Sequence, residues 1–242
     1  EQELPALLVE HRTELGRGFD TIIVDEYQDI DERWAAAIEG LLDPDGAGRL
    51  FRLGDPNQNL YRTLPNDEAL GVRMPLAVNC RNTKRITEVA LRLAGSDDGG
   101  EASRNAPDGP PVRFRPVPAL KELRKRVRDE VQLLRIEHEL PASGIAIITT
   151  AAALRDEIMT GGIEGVTIDR WDHRDEGVVV CETAHRLKGT EWQAVVVASL
   201  TETTKEWLAD VLYVGITRPR TWLSVVATPE IGELLGLEPT RD

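Results

Sequence analysis

The chain of 242 residues is short of several things, and each shortage excludes a class of protein. It has two cysteines, Cys80 and Cys181, and neither sits in a CxxC pair. That excludes a disulfide scaffold and points to a reducing, cytoplasmic setting. The four histidines, His11, His138, His173 and His185, fall at no HExxH or other metal-ligand spacing. No apolar run approaches the roughly 20 residues of a membrane span, and no signal peptide opens the chain. Among 29 basic residues only five are lysine, and none of the five follows a glycine. A Gly-Lys phosphate loop is therefore missing. The net charge of -13 excludes a broad basic face that coats duplex nucleic acid, and leaves room only for a local basic groove.

What is present reads as a globular protein, with 41% hydrophobic and 29% charged residues. Short runs rich in Val and Ile stand at 21–24, 145–148, 178–180, 194–198 and 223–226. Most lack polar alternation, as strands covered on both faces do. Between them lie helical patterns. The clearest runs from about 119 to 139, where Leu120, Leu123, Val127, Val131 and Leu134 keep helical spacing between Pro118 and Pro141. Strands alternating with helices predict an α/β fold with a parallel sheet. Residues 95–111 predict a loop, 161–177 a second irregular stretch around Trp171, and 74–75 a boundary before a new strand at 76–79. The basic run KELRKRVR at 121–128 reads as the solvated side of the long helix.

Five segments carry residues suited to chemistry. FDTIIVDEYQD (19–29) ends a buried strand in Asp25 and Glu26. One carboxylate there suits Mg²⁺ and the next can orient a water. RLFRLGDPNQNLYR (49–62) ends a strand in a Gly-Asp-Pro turn, followed by Gln58 and Tyr61. The amide can sense a phosphate or water, and the ring can stack on a base. LAVNCRNTKRI (76–86) delivers Arg81, with Asn82 or Thr83 placed to cap the next helix. CETAHRLKGTEW (181–192) offers Thr183, His185, Lys188, Gly189 and Glu191, and DVLYVGITRPRTWL (210–223) delivers Arg218 and then Arg220. Each segment alone also fits an ordinary strand end, surface ion pair or helix terminus.

Taken together and in this order, the five resemble the conserved segments of superfamily 1 helicases of the UvrD/Rep-like kind, over residues 19 to 227. DEYQD is similar to that family's acidic motif, GDPNQNLY to its glutamine motif, and NCR to its Asn-aromatic-Arg motif. TAHRLKGTEW and LYVGITRPR are similar to its last two motifs. The resemblance implies two RecA-like (P-loop NTPase-like) lobes that close over ATP and Mg²⁺ while single-stranded DNA crosses both. It implies Asp25 as the Mg²⁺ ligand, Glu26 as the residue positioning water, and Gln58 as the link from γ-phosphate to strand. Arg81 and Arg218 would reach the γ-phosphate. Lys188, Gly189 and Glu191 would face the nucleotide, while Tyr61, Thr183 and His185 would face the nucleic acid.

The departures shape the expectation. No phosphate loop precedes the acidic motif, and the chain opens at Glu1, so residues 1–75 are expected to be a truncated remnant of the first lobe. Residues 76–242 are expected to be the second lobe without a large accessory insertion. Cys80 stands where the family has an aromatic residue, Thr190 where Leu is common, and Pro219 where Ala is common. Arg62 and Thr63 follow Tyr61 without the expected aromatic partner. The expected function is the C-terminal part of an ATP-dependent DNA helicase or translocase, inactive alone and needing the missing phosphate-loop part of the same protein. The alternative is a non-enzymatic module that binds nucleic acid or another protein. With so acidic a chain, binding to a single-stranded oligonucleotide is expected to be weak and to fall steeply with salt. Tight binding that ignores salt in a fluorescence anisotropy titration would contradict this.

Overall fold

The computed structural model describes residues 4–15, 18–43, 48–61, 71–72, 74–94, 101–200 and 205–241. Arg62, Thr63 and residues 95–100 of the expected loop lie outside this set. The chain divides into two compact units, Glu1–Met74 and Pro75–Asp242.

In the smaller unit, strand β1 (Thr21–Val24) runs parallel to β2 (Arg49–Arg52), with Ile23 opposite Phe51. A 3-10 turn (Tyr27–Asp29) leads from β1 to helix α2 (Glu32–Gly40), and helix α1 (Leu4–Glu10) packs on α2. Asp31 starts α2 by accepting from the Arg33 and Trp34 amides, which would otherwise lack partners. One face of the strand pair is not covered. Phe19, Ile23, Phe51 and Leu53 are exposed, Ile23 by 66%.

The larger unit begins with β3 (Val78–Asn79) and α3 (Lys84–Ala94), and β4 (Glu101–Ala102) pairs with β3 in parallel. Then come β5 (Arg113–Pro116), α4 (Leu120–Ile136), β6 (Ile145–Thr149) and α5 (Ala152–Gly161). The chain continues through β7 (Thr167–Asp169), β8 (Val178–Thr183), β9 (Trp192–Ser199), α6 (Lys205–Ile216), β10 (Pro219–Ala227) and α7 (Pro229–Leu235). Six strands form one sheet in the order β5-β10-β9-β6-β8-β7, and every pairing is parallel. This is the α/β parallel sheet expected of a RecA-like lobe.

Helices cover both of its faces. Ile145, Ile147, Val179, Cys181, Val196 and Ala198 pack with Leu123, Val127, Val131 and Leu134 of α4 and with Leu154 and Ile158 of α5. Their neighbours along the strands face the other way. There Gly215 of α6 lies against Ile148 and Val197, close enough that a Cβ would just touch both. The strands therefore carry continuous apolar runs, whereas α4 keeps Lys121 and Lys125 on its outer side. No helix among the described residues is long and apolar enough to cross a membrane.

Three strands differ from the expectation. The strand expected at 76–79 is only Val78–Asn79, while 101–102 and 167–169, expected to be irregular, are strands. Pairing to a neighbour made them, since none has an apolar run of its own.

A buried carboxylate fastens one edge of the sheet. Glu130 of α4, 1% exposed, accepts from Arg113 Nε at 2.8 Å, Arg115 Nε at 2.7 Å and Ser224 Oγ at 2.7 Å. Burial alone would raise its pKa, but hydrogen bonds from Arg113, Arg115 and Ser224 prevail and hold it below its ordinary 4.5. A depressed folded pKa means that the stabilisation is complete above the unfolded value and is lost as pH falls through the folded one. Glu130→Gln is expected to cost about 3 kcal/mol near neutral pH and to flatten the acid limb of the stability curve. Urea melts of both proteins across the acid range check this, and equal midpoints would show that the clamp contributes nothing.

Candidate functional site

In the smaller unit the acidic pair sits where β1 ends. Leu53 donates to the Val24 carbonyl and Tyr27 to the Leu53 carbonyl, so the two strand ends are zipped together. Glu26 takes the left-handed backbone conformation at φ 51°, uncommon for a residue with a side chain. Its amide donates to Asp25 Oδ1 at 2.9 Å. Buried Gln28 donates to the Glu26 carboxylate, and its carbonyl oxygen accepts from the Asp55 amide at 3.1 Å. Asp55 in turn holds the Asn57 amide and, at 2.8 Å, Gln58 Nε2. A chain of contacts thus joins Glu26 to Gln58 through two residues not singled out in the sequence, Gln28 and Asp55. Gly54 makes room for it, since a Cβ there would meet Gln28 Oε1 at 2.5 Å. The Asp-Pro-Asn spelling at 55–57, a common turn-capping pattern, was the one signal available for Asp55. Tyr61 is exposed by 54%.

Among the described residues no three His, Cys, Asp or Glu side chains assemble into a metal cage. Mg²⁺ does not need one, because it keeps several waters and takes one or two carboxylates beside phosphate oxygens. Asp25, at an exposed strand end next to Glu26, fits that limited donor set.

In the larger unit the seven predicted residues fall at two edges of the sheet and on the path between. β8 and β9 are parallel with β6 between them, so residues 184–191 must travel from the carboxyl end of β8 to the amino end of β9. Thr183 ends β8, and His185 follows it, its ring 5.9 Å from that of Trp207 near the start of α6. Burial, with the charge of Lys188, lowers the His185 pKa and keeps its ring neutral at pH 7. Lys188 and Gly189 lie on the turn, where Gly189 has φ +77°.

At the other edge Glu191 meets Arg81, with Oε1 2.7 Å from Nε and both side chains about two-fifths exposed. Arg218 comes to the same turn from beneath. It is 1% exposed and donates to the carbonyls of Val214 at 3.0 Å and Thr190 at 3.4 Å, and to Thr217 Oγ1 at 3.1 Å. Its own carbonyl accepts from the Trp192 amide.

Asn82 joins the two arginine segments. Its amide nitrogen donates to the carbonyls of Thr217 and Pro219, at 3.2 and 2.5 Å, and its oxygen accepts from Asn79 at 2.8 Å. Asn79 Oδ1 accepts from the Arg81 and Asn82 amides. The expected capping of α3 by Asn82 or Thr83 does not occur. The Lys84 and Arg85 amides donate instead to the Pro107 and Asp108 carbonyls, and the buried Thr83 hydroxyl has no partner.

Residues 178–226, from β8 to the end of the apolar part of β10, match the family model of the UvrD-like helicase C-terminal domain. The chain thus carries a UvrD-like, helicase-related part. A solved structure, described as the C-terminal domain of a possible DNA helicase from Lactobacillus plantarum WCFS1, is similar to 64% of this chain and to 91% of its own. The two share 23% identity, at a TM-score of 0.47. No curated protein matches the chain.

Replacing Asn82 with Ala leaves two buried carbonyls and Asn79 without their partner. It is expected to cost about 2 kcal/mol, read as a lower urea midpoint. An unchanged midpoint would mean that the amide does not hold the two segments together.

Proposed function

We propose that the chain is the C-terminal part of an ATP-dependent superfamily 1 DNA helicase or translocase that couples ATP hydrolysis to movement on single-stranded DNA. The observation that carries this reading is the gathering of Arg81, Glu191 and Arg218 at the amino ends of β9 and β10, around a UvrD-like segment. On this reading residues 1–75 are part of the first lobe and residues 76–242 form the second, in a cytoplasmic protein. Asp25 would hold Mg²⁺, which neutralises charge on phosphate oxygens when bound. Glu26 would orient the attacking water, its carboxylate steadied by Gln28. Gln58, tied back to that group through Asp55, would sense the γ-phosphate. Arg81 and Arg218 would stabilise charge developing there, and Lys188, Gly189 and Glu191 would line the nucleotide, Glu191 at the ribose. Tyr61, Thr183 and His185 would face the strand. In the larger unit the strand-facing pair lies at the edge opposite the two arginines, which suits a lobe that takes nucleotide at one edge and nucleic acid at the other.

Two features support a further partner, the part of the protein that carries a phosphate loop. The sequence has no Gly-Lys, and the β1–β2 pair leaves Phe19, Ile23, Phe51 and Leu53 uncovered, where parallel strands are normally covered on both faces. The second reading is a non-enzymatic binding module. The burial of Arg218 against carbonyls favours it, since such an arginine also serves simply to hold a turn.

ATP hydrolysis separates the readings. This chain alone is expected to hydrolyse none, with or without single-stranded DNA, because half of the phosphate shell is absent. The full gene product is expected to hydrolyse ATP and to lose about a thousandfold in rate on Arg81→Ala or Arg218→Ala. A full-length protein whose rate ignores these changes and Glu26→Gln would overturn the enzymatic reading.

A further inference from the structure

An open cavity of about 360 Å³ lies at the amino end of β10, against the turn from β3 to α3. Its wall carries Cys80, Arg81 and Thr83 on one side, Ser103 and Asn105 on another, and Arg220 on a third. Arg220 is exposed and makes no hydrogen bond or ion pair with any described residue. Arg81 engages Glu191 through Nε alone, so its two terminal nitrogens are open to a second partner. Thr83 is 2% exposed, and its buried hydroxyl has no partner. The nearby carboxylates are already engaged, Glu191 with Arg81 and Asp108 with Lys84 at 2.9 Å. Two guanidinium groups with open donors thus share one polar cavity on a chain of net charge -13. A planar guanidinium fork matches an oxyanion, and phosphate above all. The walls are also fixed beforehand. Asn82 binds the carbonyls of Thr217 and Pro219, so the turn bearing Arg81 and the strand bearing Arg220 cannot drift apart.

We propose that this cavity binds a phosphate group of a nucleotide, with Arg220 and Arg81 as its charged donors and the Thr83 hydroxyl behind them. This rests on the reading of Arg81 as nucleotide-facing, and it adds Arg220, to which the family resemblance assigns no role.

The chain contains its own reporter. Cys80 is exposed in the cavity wall, whereas Cys181 is buried and its thiol is pushed up to about 12 by burial. The rate of alkylation by iodoacetamide therefore reads Cys80 alone. It is measured on this chain at low salt with excess inorganic tripolyphosphate, ATP or a short oligothymidylate. ATP and tripolyphosphate are expected to slow alkylation several-fold. Arg220→Ala, a change at an exposed side chain, is expected to raise the half-protecting concentration about tenfold, and Arg220→Lys to raise it less. Protection that survives Arg220→Ala, or none from ATP and tripolyphosphate, would overturn the proposal. Protection by the oligonucleotide but not by ATP would overturn the nucleotide as ligand and assign the cavity to a nucleic-acid backbone. ATP bound in equilibrium dialysis without protection of Cys80 would leave the helicase reading standing and remove this one.

Discussion

An all-parallel sheet cannot be closed by tight turns. Every connection must travel its full length before the next strand begins. In the larger unit this constraint governs the candidate site. The motif TAHRLKGTEW is ten residues of sequence, but it starts at the carboxyl end of β8 and finishes at the amino end of β9. Helix α6 makes the return trip, with Trp207 beside His185 at its start and Arg218 just beyond its end. Two connections therefore tie the opposite edges of one sheet. Side chains close in sequence are held far apart, while Arg81 and Arg218, far apart in sequence, are held together.

Polar burial gives that arrangement its rigidity. Asn82, Arg218 and Glu130 are each at most 3% exposed, and each makes several hydrogen bonds to partners distant in sequence. Apolar packing sets where the helices lie on the sheet, but it tolerates small shifts. A buried amide facing two carbonyls does not, because a displacement leaves polar atoms without partners at a cost of about 1–3 kcal/mol each. In the smaller unit Gln28 plays the comparable part, between Glu26 and the Gly54–Asp55 turn.

How much of this was legible in the sequence depends on what shaped each element. The central strands and α4 were readable because burial on both faces, or on one stripe, leaves a periodic apolar mark. β5 and β7 were not, because they are edge strands with little apolar content. Arg113 and Arg115 look like surface residues until Glu130 is brought to them from fifteen or more positions away. The residue types of the candidate site were legible from order and spacing. Their connections were not. Nothing local announces that Asn82 will reach across 135 residues to Thr217, and its position before a helix suggested a cap. The cap went to a loop carbonyl because residues 107–108 came closer to the first amides of α3.

The uncovered face of the β1–β2 pair has a bearing on how the protein comes apart. Stability is not uniform within a chain, and a segment opens the more readily the less apolar surface it buries. The larger unit has a continuous core under both faces of six strands, while the smaller has one parallel pair with half its apolar side chains in water. Two strands with one covered face form a marginal cooperative unit. Asp25 and Glu26 are therefore carried on the part of the chain that exchanges its amide hydrogens first, while Arg81 and Arg218 are carried on the part that exchanges them last.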